Sequence, residues 1–416
     1  MLKSATGDEM FERHIEKEVE NYLDFMPVTL ITGARQTGKT TLVESIVEKR
    51  GFSFFTFDDE FSLANARRDP SGWLMSLPKP VVIDEVQRVP EIFLSIKRDV
   101  DENRKPGRFL LTGSANPLLL PRLGDSLAGR MGIVSMFPFS QGELRKIRET
   151  FIPYIFGEKI SSVKLDPIQD LFKIFLYGGF PTVQSLDIQN VGRWVHSYLQ
   201  TIMERDVRDI SNIEGLKEFP RLFQLLATRS AQFLNISDLS RSLGMVNVTV
   251  NRYIRLLETL FFIHLLPAWY TNLGKRIIKA PKLHLCDTAI LGQLLGVDRG
   301  RLQKDPHLAG QFLESFVFSE LQKLKSWSPI RFDIYHFRDG DFEVDLVLEK
   351  PDKTIVGIEV KSARSLNADD LKGLKHLKKL SKGHFKRGIV LHPGTQIEPL
   401  GDDLWAFPIA SLWSIL

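Results

Sequence analysis

Short runs of consecutive apolar residues, each followed by polar residues, recur along the first third of the chain. Uninterrupted apolar runs of this length are typical of strands buried on both faces of a parallel sheet. Segments of helical character lie before the first run and between the first two, at Phe11–Leu23 and Thr41–Val47. The runs themselves are Val28–Ile31, Phe52–Phe57, Pro80–Ile83 and Arg108–Leu111. The pattern therefore predicts an α/β fold with a parallel sheet.

The last quarter of the chain shows strict alternation instead. In Glu343–Glu349 and in Ile355–Lys361, apolar and other residues alternate, so each segment places one apolar set on one face of a strand. Lys350–Thr354, which contains Pro351 and Asp352, has the composition of a turn. The pattern predicts an antiparallel hairpin, preceded by an amphipathic helix over Leu308–Leu324.

The middle of the chain has helical periodicity at Pro167–Tyr177 and Val191–Ile213, and a two-helix pattern follows. Ser237 is the predicted N-cap of a short helix that ends at Gly244, and Asn247 is the predicted cap of a second helix after a three-residue turn. Val250, Ile254 and Leu257 recur at helical spacing and are expected to face the core. Helix, short turn and helix predict a helix-turn-helix, with Leu265–Leu285 as a wing.

Composition narrows the class of protein. The 416 residues suit about two to three domains. Cys286 is the single cysteine, which excludes a disulfide framework within the chain and favours a reducing cytoplasm. The N-terminal residues are polar and charged, and the longest apolar stretch, Leu256–Tyr270, is interrupted by Glu258, so no membrane association is expected. The net charge of +4 neither requires nor excludes nucleic acid.

A complete phosphate-binding loop follows the first predicted strand. Its G-x-x-x-x-G-K-T pattern lies between a strand and a helix, which is the context that gives the pattern its meaning. Backbone N–H groups and the helix N-terminus would cradle phosphates, Lys39 would reach the β- and γ-phosphates, and Thr40 would bind Mg²⁺. The predicted ATP-binding residues are Gly33, Ala34, Arg35, Gln36, Thr37, Gly38, Lys39, Thr40 and Thr41.

Polar residues also follow the later strands. Asp84 and Glu85 end the third apolar run, where Asp84 would hold Mg²⁺ and Glu85 would orient or deprotonate the attacking water. Thr112 and Ser114 follow the fourth run and are candidates to contact the γ-phosphate or the water. Arg130 is a candidate phosphate-sensing arginine, acting within the chain or from a neighbouring subunit of a homo-oligomer, and a structural ion pair is the equal alternative.

Four motifs together resemble a known family: GARQTGKT, VVIDEV, LLTGSA and SLAGR. They look like the AAA-type ATPase domain of a prokaryotic two-part ATPase family whose C-terminal region is a domain of unknown function. The resemblance continues through Tyr177–Pro181 and Arg205–Ile210. It implies an AAA-type core over residues 1–150, a helical lid or connector over 151–225, a winged helix over 226–300 and a C-terminal domain over 301–416.

The hairpin carries a second candidate site. If Glu349 pairs with Ile355, the antiparallel register places Asp345 opposite Glu359, with Lys361 on the same face. Two carboxylates so close need a cation, a shared proton or solvent, and Mg²⁺ held by Asp345 and Glu359 is one solution.

This arrangement resembles the PD-(D/E)xK nuclease signature, with Glu314 as the acid on the preceding helix and Val344 where that signature has proline. The resemblance implies a restriction-endonuclease-like fold and a catalytic set of Glu314, Asp345, Glu359 and Lys361. A nuclease-like fold that does not cleave, or ordinary exposed charges on a hairpin, are the alternatives.

DNA is the expected partner. Arg252 and Arg255 point away from the predicted core of the second helix, and a basic run lies between Lys372 and Arg387. The sequence therefore predicts an ATPase that uses ATP and Mg²⁺ and that binds or processes DNA. The alternative is a nucleotide-driven switch whose non-cleaving C-terminal domain binds a protein or DNA.

Overall fold

The computed structural model describes residues 2–3, 10–116, 127–204 and 218–415. The chain forms two compact units, of which the first comprises Met1–Phe139, Phe180–Ser185 and Arg255–Phe262. The second comprises Ser140–Gly179, Leu186–Ile254 and Ile263–Leu416. No helix in the described part of the chain is long and apolar enough to cross a membrane.

The first unit is built on a parallel sheet. Its strands are β1 (Leu2–Lys3), β2 (Met10–Phe11), β3 (Val28–Thr32), β4 (Ser53–Thr56), β5 (Val81–Asp84), β6 (Phe109–Gly113) and β7 (Met131–Ser135). Its helices are α1 (Glu16–Phe25), α2 (Lys39–Arg50), α3 (Glu60–Arg68), α4 (Pro70–Ser76) and α5 (Ile92–Glu102). Among these described strands, β3 to β7 pair in the parallel order β4-β5-β6-β3-β7.

The predicted parallel sheet is confirmed, and its core explains the apolar runs. Every residue of β3, β5 and β6 is buried, which is why these strands carry no alternation. Because all five strands are parallel, the phosphate loop after β3 and the acidic residues after β5 emerge at the same sheet edge. The helix predicted from Phe11 begins only at Glu16, because Phe11 pairs with Leu2 in a short antiparallel ribbon.

The second unit contains the remaining elements. Its helices are α6 (Gln141–Arg145), α7 (Phe151–Phe156), α8 (Leu171–Tyr177), α9 (Ile188–Glu204), α10 (Phe219–Thr228), α11 (Ile236–Leu243), α12 (Asn247–Thr259, whose last turn belongs to the first unit), α13 (Leu273–Ile278), α14 (Thr288–Leu295), α15 (Arg299–Lys304), α16 (Pro306–Trp327), α17 (Lys372–Leu380) and α18 (Ser411–Ser414). Its strands are β8 (Gln232–Phe233), β9 (Ile263–Leu266), β10 (Lys282–Leu285), β11 (Asp333–Asp339), β12 (Phe342–Glu349), β13 (Ile355–Val360), β14 (Phe385–His392), β15 (Glu398–Gly401) and β16 (Leu404–Pro408).

Two helices joined by a three-residue turn occupy the predicted helix-turn-helix position. Gly244 ends α11 in the left-handed conformation as expected, but Asn235, not Ser237, caps its start by accepting a hydrogen bond from the Asp238 N–H. An N-cap must sit outside the helix, and Ser237 lies within the first turn. Beside α11 and α12, strands β8, β10 and β9 form an antiparallel sheet in that order.

The C-terminal region holds a mixed sheet in the order β11-β12-β13-β14-β16-β15. Glu349 pairs with Ile355, so the predicted hairpin register is confirmed. The prediction of one buried face is too simple, because Val347, on the face opposite Leu346 and Leu348, is also fully buried. Helix α17 covers one face of the hairpin and α16 packs against β13, so both faces of its inner half lie in the core.

Candidate functional site

The phosphate loop is shaped by its glycines. Gly38 lies immediately before α2 with a φ of 94°, a left-handed conformation that glycine adopts without steric cost. Gly33 packs against backbone, and a Cβ atom at this position would lie 2.0 Å from the Met136 carbonyl oxygen. The loop can therefore hold its shape only with glycine at both ends of the motif.

Buried cations surround the loop. The Lys39 ammonium is buried and donates to the carbonyl oxygens of Gly33 and Ala34, each at 2.9 Å. Arg13 donates to the carbonyl oxygens of Thr37 and Phe137, each at 2.7 Å, and so ties the loop to the segment after β7. The sequence analysis missed Arg13, because a single arginine before the first strand carries no motif that marks it.

Asp84 lies at the centre of a group of hydroxyls. Thr40 Oγ1 lies 3.3 Å from Asp84 Oδ1, Thr56 Oγ1 donates to Oδ2 at 3.1 Å, and Thr112 donates to Oδ1. Burial raises the pKa of Asp84 above its ordinary value, although Thr112, Thr56 and Lys39 oppose this shift. The oxygen donors of Thr40 and Asp84 fit Mg²⁺, which prefers oxygen ligands and is commonly held by one carboxylate.

Glu85 is held in a fixed and strained position. Its φ of 56° is rare for a residue other than glycine, and its N–H donates to Thr112 Oγ1 at 3.1 Å. Ser114 Oγ donates to Glu85 Oε1 at 2.9 Å, and the Gln87 amide donates to Oε2. Burial acts to raise the pKa of Glu85, but Lys39, Gln87 and Arg35 outweigh it and hold that pKa below its ordinary value. The carboxylate is thus kept ionised.

The structure brings most of the predicted ATP-site residues together but separates Arg130 from them. Thr112 and Ser114 hold Asp84 and Glu85 through direct hydrogen bonds, a positioning role that the sequence did not specify. Arg130 precedes the amino end of β7, whereas the phosphate loop follows the carboxyl end of its parallel neighbour β3. Its Nε lies 2.5 Å from Asp101 Oδ1, as the ion-pair alternative expects.

Within the chain, Arg130 therefore lies a strand length, about 15 Å, from the loop. A role in a neighbouring subunit stays a prediction. Ser126 of SLAGR and Arg205–Ile210 lie outside the described residues.

A second cluster of charges lies in the second unit, around Lys282 of β10. Lys282 Nζ lies 2.7 Å from Glu314 Oε1, 2.8 Å from Glu343 Oε1 and 3.4 Å from Asp345 Oδ1, and its side chain is 2% exposed. Burial acts to lower the pKa of Lys282, but Glu314, Asp345 and Glu343 outweigh it and raise that pKa. The ammonium therefore keeps its charge among these three carboxyl groups.

Residues from both strands of the hairpin complete this cluster. Asp345 Oδ2 accepts from the Val360 N–H at 2.9 Å, and Lys361 Nζ lies 2.9 Å from Glu359 Oε1. Burial and the neighbouring Asp345 raise the pKa of Glu314 to about 8 and that of Glu359 well above its ordinary value. Glu314, Asp345, Glu359 and Lys361 thus lie in one region of the second unit, and their nuclease-like role stays a prediction.

Lys282 and Glu343 were missed by the sequence analysis. The only signal was a lone lysine in a short apolar strand that the sequence placed in the wing. Within the described residues, no group of three or more His, Cys, Asp or Glu side chains converges as metal ligands. The assignment of Asp345 and Glu359 to a metal stays a prediction.

Comparison with known proteins agrees with the first site. A family model described as "AAA domain" matches residues 26–145, the segment that holds the phosphate loop, Asp84 and Glu85. The sheet order and this match define the first unit as a P-loop ATPase domain of the AAA type. Two models described as "Domain of unknown function", DUF8612 and DUF4143, match residues 168–301 and 309–412, so the predicted two-part architecture is confirmed.

The chain as a whole belongs to one family with two mycobacterial proteins, each described as an uncharacterized protein. One member from Mycobacterium tuberculosis and one from Mycobacterium bovis are each 30% identical over 388 residues, which cover 92% of this chain and 80% of theirs. Among solved structures, a Walker-type ATPase of Pyrococcus abyssi is 13% identical, with 71% of this chain and 98% of that chain covered and a TM-score of 0.44. The RuvB Holliday junction branch migration motor of Thermotoga maritima is 18% identical, with 64% and 93% covered and a TM-score of 0.31.

Proposed function

We propose that this protein binds and hydrolyses ATP with Mg²⁺. The proposal is carried by the continuous hydrogen-bonded array that joins Thr40, Asp84, Thr112, Glu85 and Ser114 at the edge of the sheet. When bound, Mg²⁺ neutralises charge on the β- and γ-phosphate oxygens. Thr40 and Asp84 would hold it there.

The remaining chemistry falls to side chains of this chain. Lys39 and the backbone N–H groups of the loop bind and orient the phosphates. The ionised Glu85 carboxylate, held by Ser114 and Gln87, orients the attacking water and accepts its proton. Its strained backbone is fixed by the hydrogen bond to Thr112, so the carboxylate keeps one direction.

Steady-state ATP turnover tests this proposal. We expect Lys39→Ala to lose turnover because the phosphates lose their cation. We expect Glu85→Gln to retain ATP binding while turnover falls by roughly 100-fold or more. Lys49→Ala, which removes a half-exposed lysine of the same helix, is the matched control and should keep full turnover. Full turnover in Lys39→Ala would refute the proposal.

We further propose that the chain contacts DNA through a winged helix formed by α11, α12 and the β8-β10-β9 sheet. Val250, Ile254 and Leu257 are buried, whereas Arg252 and Arg255 on the other side of α12 are exposed. Exposed arginines on the second helix of such a pair are suited to phosphate and base contacts.

Duplex binding measured by fluorescence anisotropy tests the DNA contact. The double variant Arg252→Ala with Arg255→Ala should weaken binding and lower its salt dependence. The double variant Arg67→Ala with Arg68→Ala removes the same charge from exposed positions of α3 and should bind as the wild type does. Equal affinity in the two double variants would exclude this helix as the contact, and ATP turnover indifferent to DNA would favour a protein partner.

For the C-terminal region we propose a nuclease-like fold that does not cleave DNA. The helix, the hairpin and the charge interaction between Asp345 and Glu359 support the fold, and Lys282 favours the non-cleaving alternative because its ammonium lies where a metal would be needed. Incubation with plasmid and linear DNA, with Mg²⁺ or Mn²⁺ and with or without ATP, should leave both substrates intact. Cleavage that is lost in Lys361→Ala would overturn the non-cleaving assignment.

A further inference from the structure

The Lys282 ammonium has the ligand environment of a bound cation. Three carboxylates, Glu314 from α16 and Glu343 and Asp345 from β12, lie within 3.4 Å of its nitrogen. An ammonium has three hydrogens to donate, so one carboxylate can accept each. The side chains of Glu314 and Asp345 are 14% and 13% exposed, so water screens this group weakly.

The charges of this cluster do not balance without a further cation or bound protons. Glu359 and Asp370, the two partners of Lys361, bring the carboxylates to five, against the two ammonium groups of Lys282 and Lys361. Buried like charges are costly unless cations or protons compensate them. A divalent ion in place of Lys282 would supply one positive charge more than the ammonium does.

Two buried groups at the cluster have unused ligand atoms. Neither ring nitrogen of the fully buried His284 has a hydrogen-bond partner in the described chain, and its Nε2 lies 4.0 Å from Glu314 Oε1. His284 is two residues from Lys282 on β10, so the two side chains share one face of the strand. Glu359 Oε2 is likewise buried without a partner. Imidazole nitrogen and carboxylate oxygen are both ligands of divalent metals such as Mn²⁺.

We propose that the Lys282 ammonium takes the place of a divalent metal ion among Glu314, Glu343 and Asp345, so that the wild-type cluster holds no metal. The inference rests on the proposed nuclease-like fold and names what keeps its site inactive. A metal and the Lys282 ammonium compete for the same oxygens, so the metal binds only when the lysine is removed or when β10 moves away from α16 and β12. Strand β10 is thereby an inhibitory element for the carboxylates.

Manganese binding to the nucleotide-free full chain, followed by electron paramagnetic resonance of free Mn²⁺, tests the inference. The wild type should bind no Mn²⁺ at this cluster. Lys282→Met, which keeps the length of the side chain, should bind one Mn²⁺ with roughly tenfold or greater gain in affinity. Adding Asp345→Asn to Lys282→Met should abolish the gain. Lys323→Met removes another buried, ion-paired lysine and should gain no Mn²⁺.

Thermal melting keeps the test decisive where Lys282→Met folds poorly. Mn²⁺ should raise the Tm of Lys282→Met and of Lys282→Gln, since binding to the folded state stabilises it, and should leave that of the wild type unchanged. No gain in affinity together with no rise in Tm would overturn the inference, as would wild-type Mn²⁺ binding that Asp345→Asn removes. DNA cleavage by the wild type would refute the proposed non-cleaving function instead, so the two failures are distinguishable.

Discussion

Thr40 Oγ1 lies 3.3 Å from Asp84 Oδ1, although 44 positions separate the two residues along the chain. They meet because β3 and β5 are parallel and end at the same edge of the sheet, with β6 between them. Thr112, near the end of β6, donates to Asp84 and accepts from the Glu85 N–H. Strand β6 therefore connects Asp84, the predicted Mg²⁺ ligand, to Glu85, the predicted base.

Thr112→Val should impair catalysis more than ATP binding. The change removes the hydroxyl that fixes Asp84 and leaves the buried N–H of Glu85 unpaired, with an expected loss of about 2 kcal/mol in the free energy of unfolding. Because Glu85 loses its fixed direction, kcat should fall by roughly 100-fold while KM changes little. Steady-state kinetics and urea unfolding measure both effects.

Thr29→Val is the matched control for this change. The Thr29 hydroxyl is fully buried in β3 and has no hydrogen-bond partner in the described chain, so valine should leave turnover unchanged and stability equal or higher. Equal kcat in Thr112→Val and Thr29→Val would contradict the positioning role of Thr112.

Gly33→Ala should disrupt the phosphate loop. Its Cβ would lie 2.0 Å from the Met136 carbonyl oxygen, so backbone must move, and we expect a loss of ATP affinity and of about 1–3 kcal/mol in stability. Gly310→Ala is the control, because its Cβ meets nothing within 4 Å in helix α16. That variant should gain about 0.5–1 kcal/mol in stability and keep its nucleotide affinity. Unchanged ATP affinity in Gly33→Ala would contradict the close packing.

Glu349→Ala should be strongly destabilising. The buried carboxylate accepts from Trp269 Nε1 at 2.6 Å and lies 2.7 Å from Arg276 Nη2, whose side chain is 10% exposed. Its removal leaves this largely covered guanidinium without its carboxylate partner, and we expect a loss of about 3 kcal/mol in the free energy of unfolding. Glu398→Ala, at an exposed position of β15, should change it by less than about 0.5 kcal/mol. Similar effects of the two changes in urea unfolding would refute the prediction.

Acid should destabilise the protein through His336. Burial, with Lys282 adding to it, lowers the pKa of this buried histidine to about 4, and its Nε2 lies 3.1 Å from the Ala280 carbonyl oxygen. The unfolded chain takes up a proton below about pH 6.5, whereas the folded state does so only near its lower pKa. His336 therefore makes its full contribution to the free energy of unfolding above about pH 6.5. That contribution, at most roughly 3 kcal/mol, is lost as the pH falls towards 4.

Urea unfolding at several pH values measures this loss. His336→Gln keeps a donor for Ala280 but does not titrate, so its stability should fall less than that of the wild type between pH 6.5 and 4. An identical pH dependence in the two proteins would show that His336 does not contribute.

The two candidate sites differed in how far the sequence could predict them. The hairpin was predictable from the turn composition and from the alternation of Glu343–Glu349 and Ile355–Lys361. Its register was predicted on the condition that Glu349 pairs with Ile355, because a shift of two residues would bury the same apolar sets. The N-cap of α11 was not predictable, since Asn235 and Ser237 both suit a cap and local composition does not choose between them. The ion pair of Arg130 was predicted only as an alternative to a phosphate-sensing role, because a motif does not show at which end of a strand its arginine lies.

The sequence by itself determined the phosphate loop, the acidic strand end and the hairpin, because each depends on residues that are close in the chain or on strand periodicity. Only the tertiary structure decided that Arg13 braces the loop, that Thr112 joins Asp84 to Glu85 and that Lys282 occupies the carboxylate cluster. These contacts join elements distant in sequence. A buried charge is stable only when it contacts a partner inside the fold. The local sequence pattern does not show which distant segment supplies that partner.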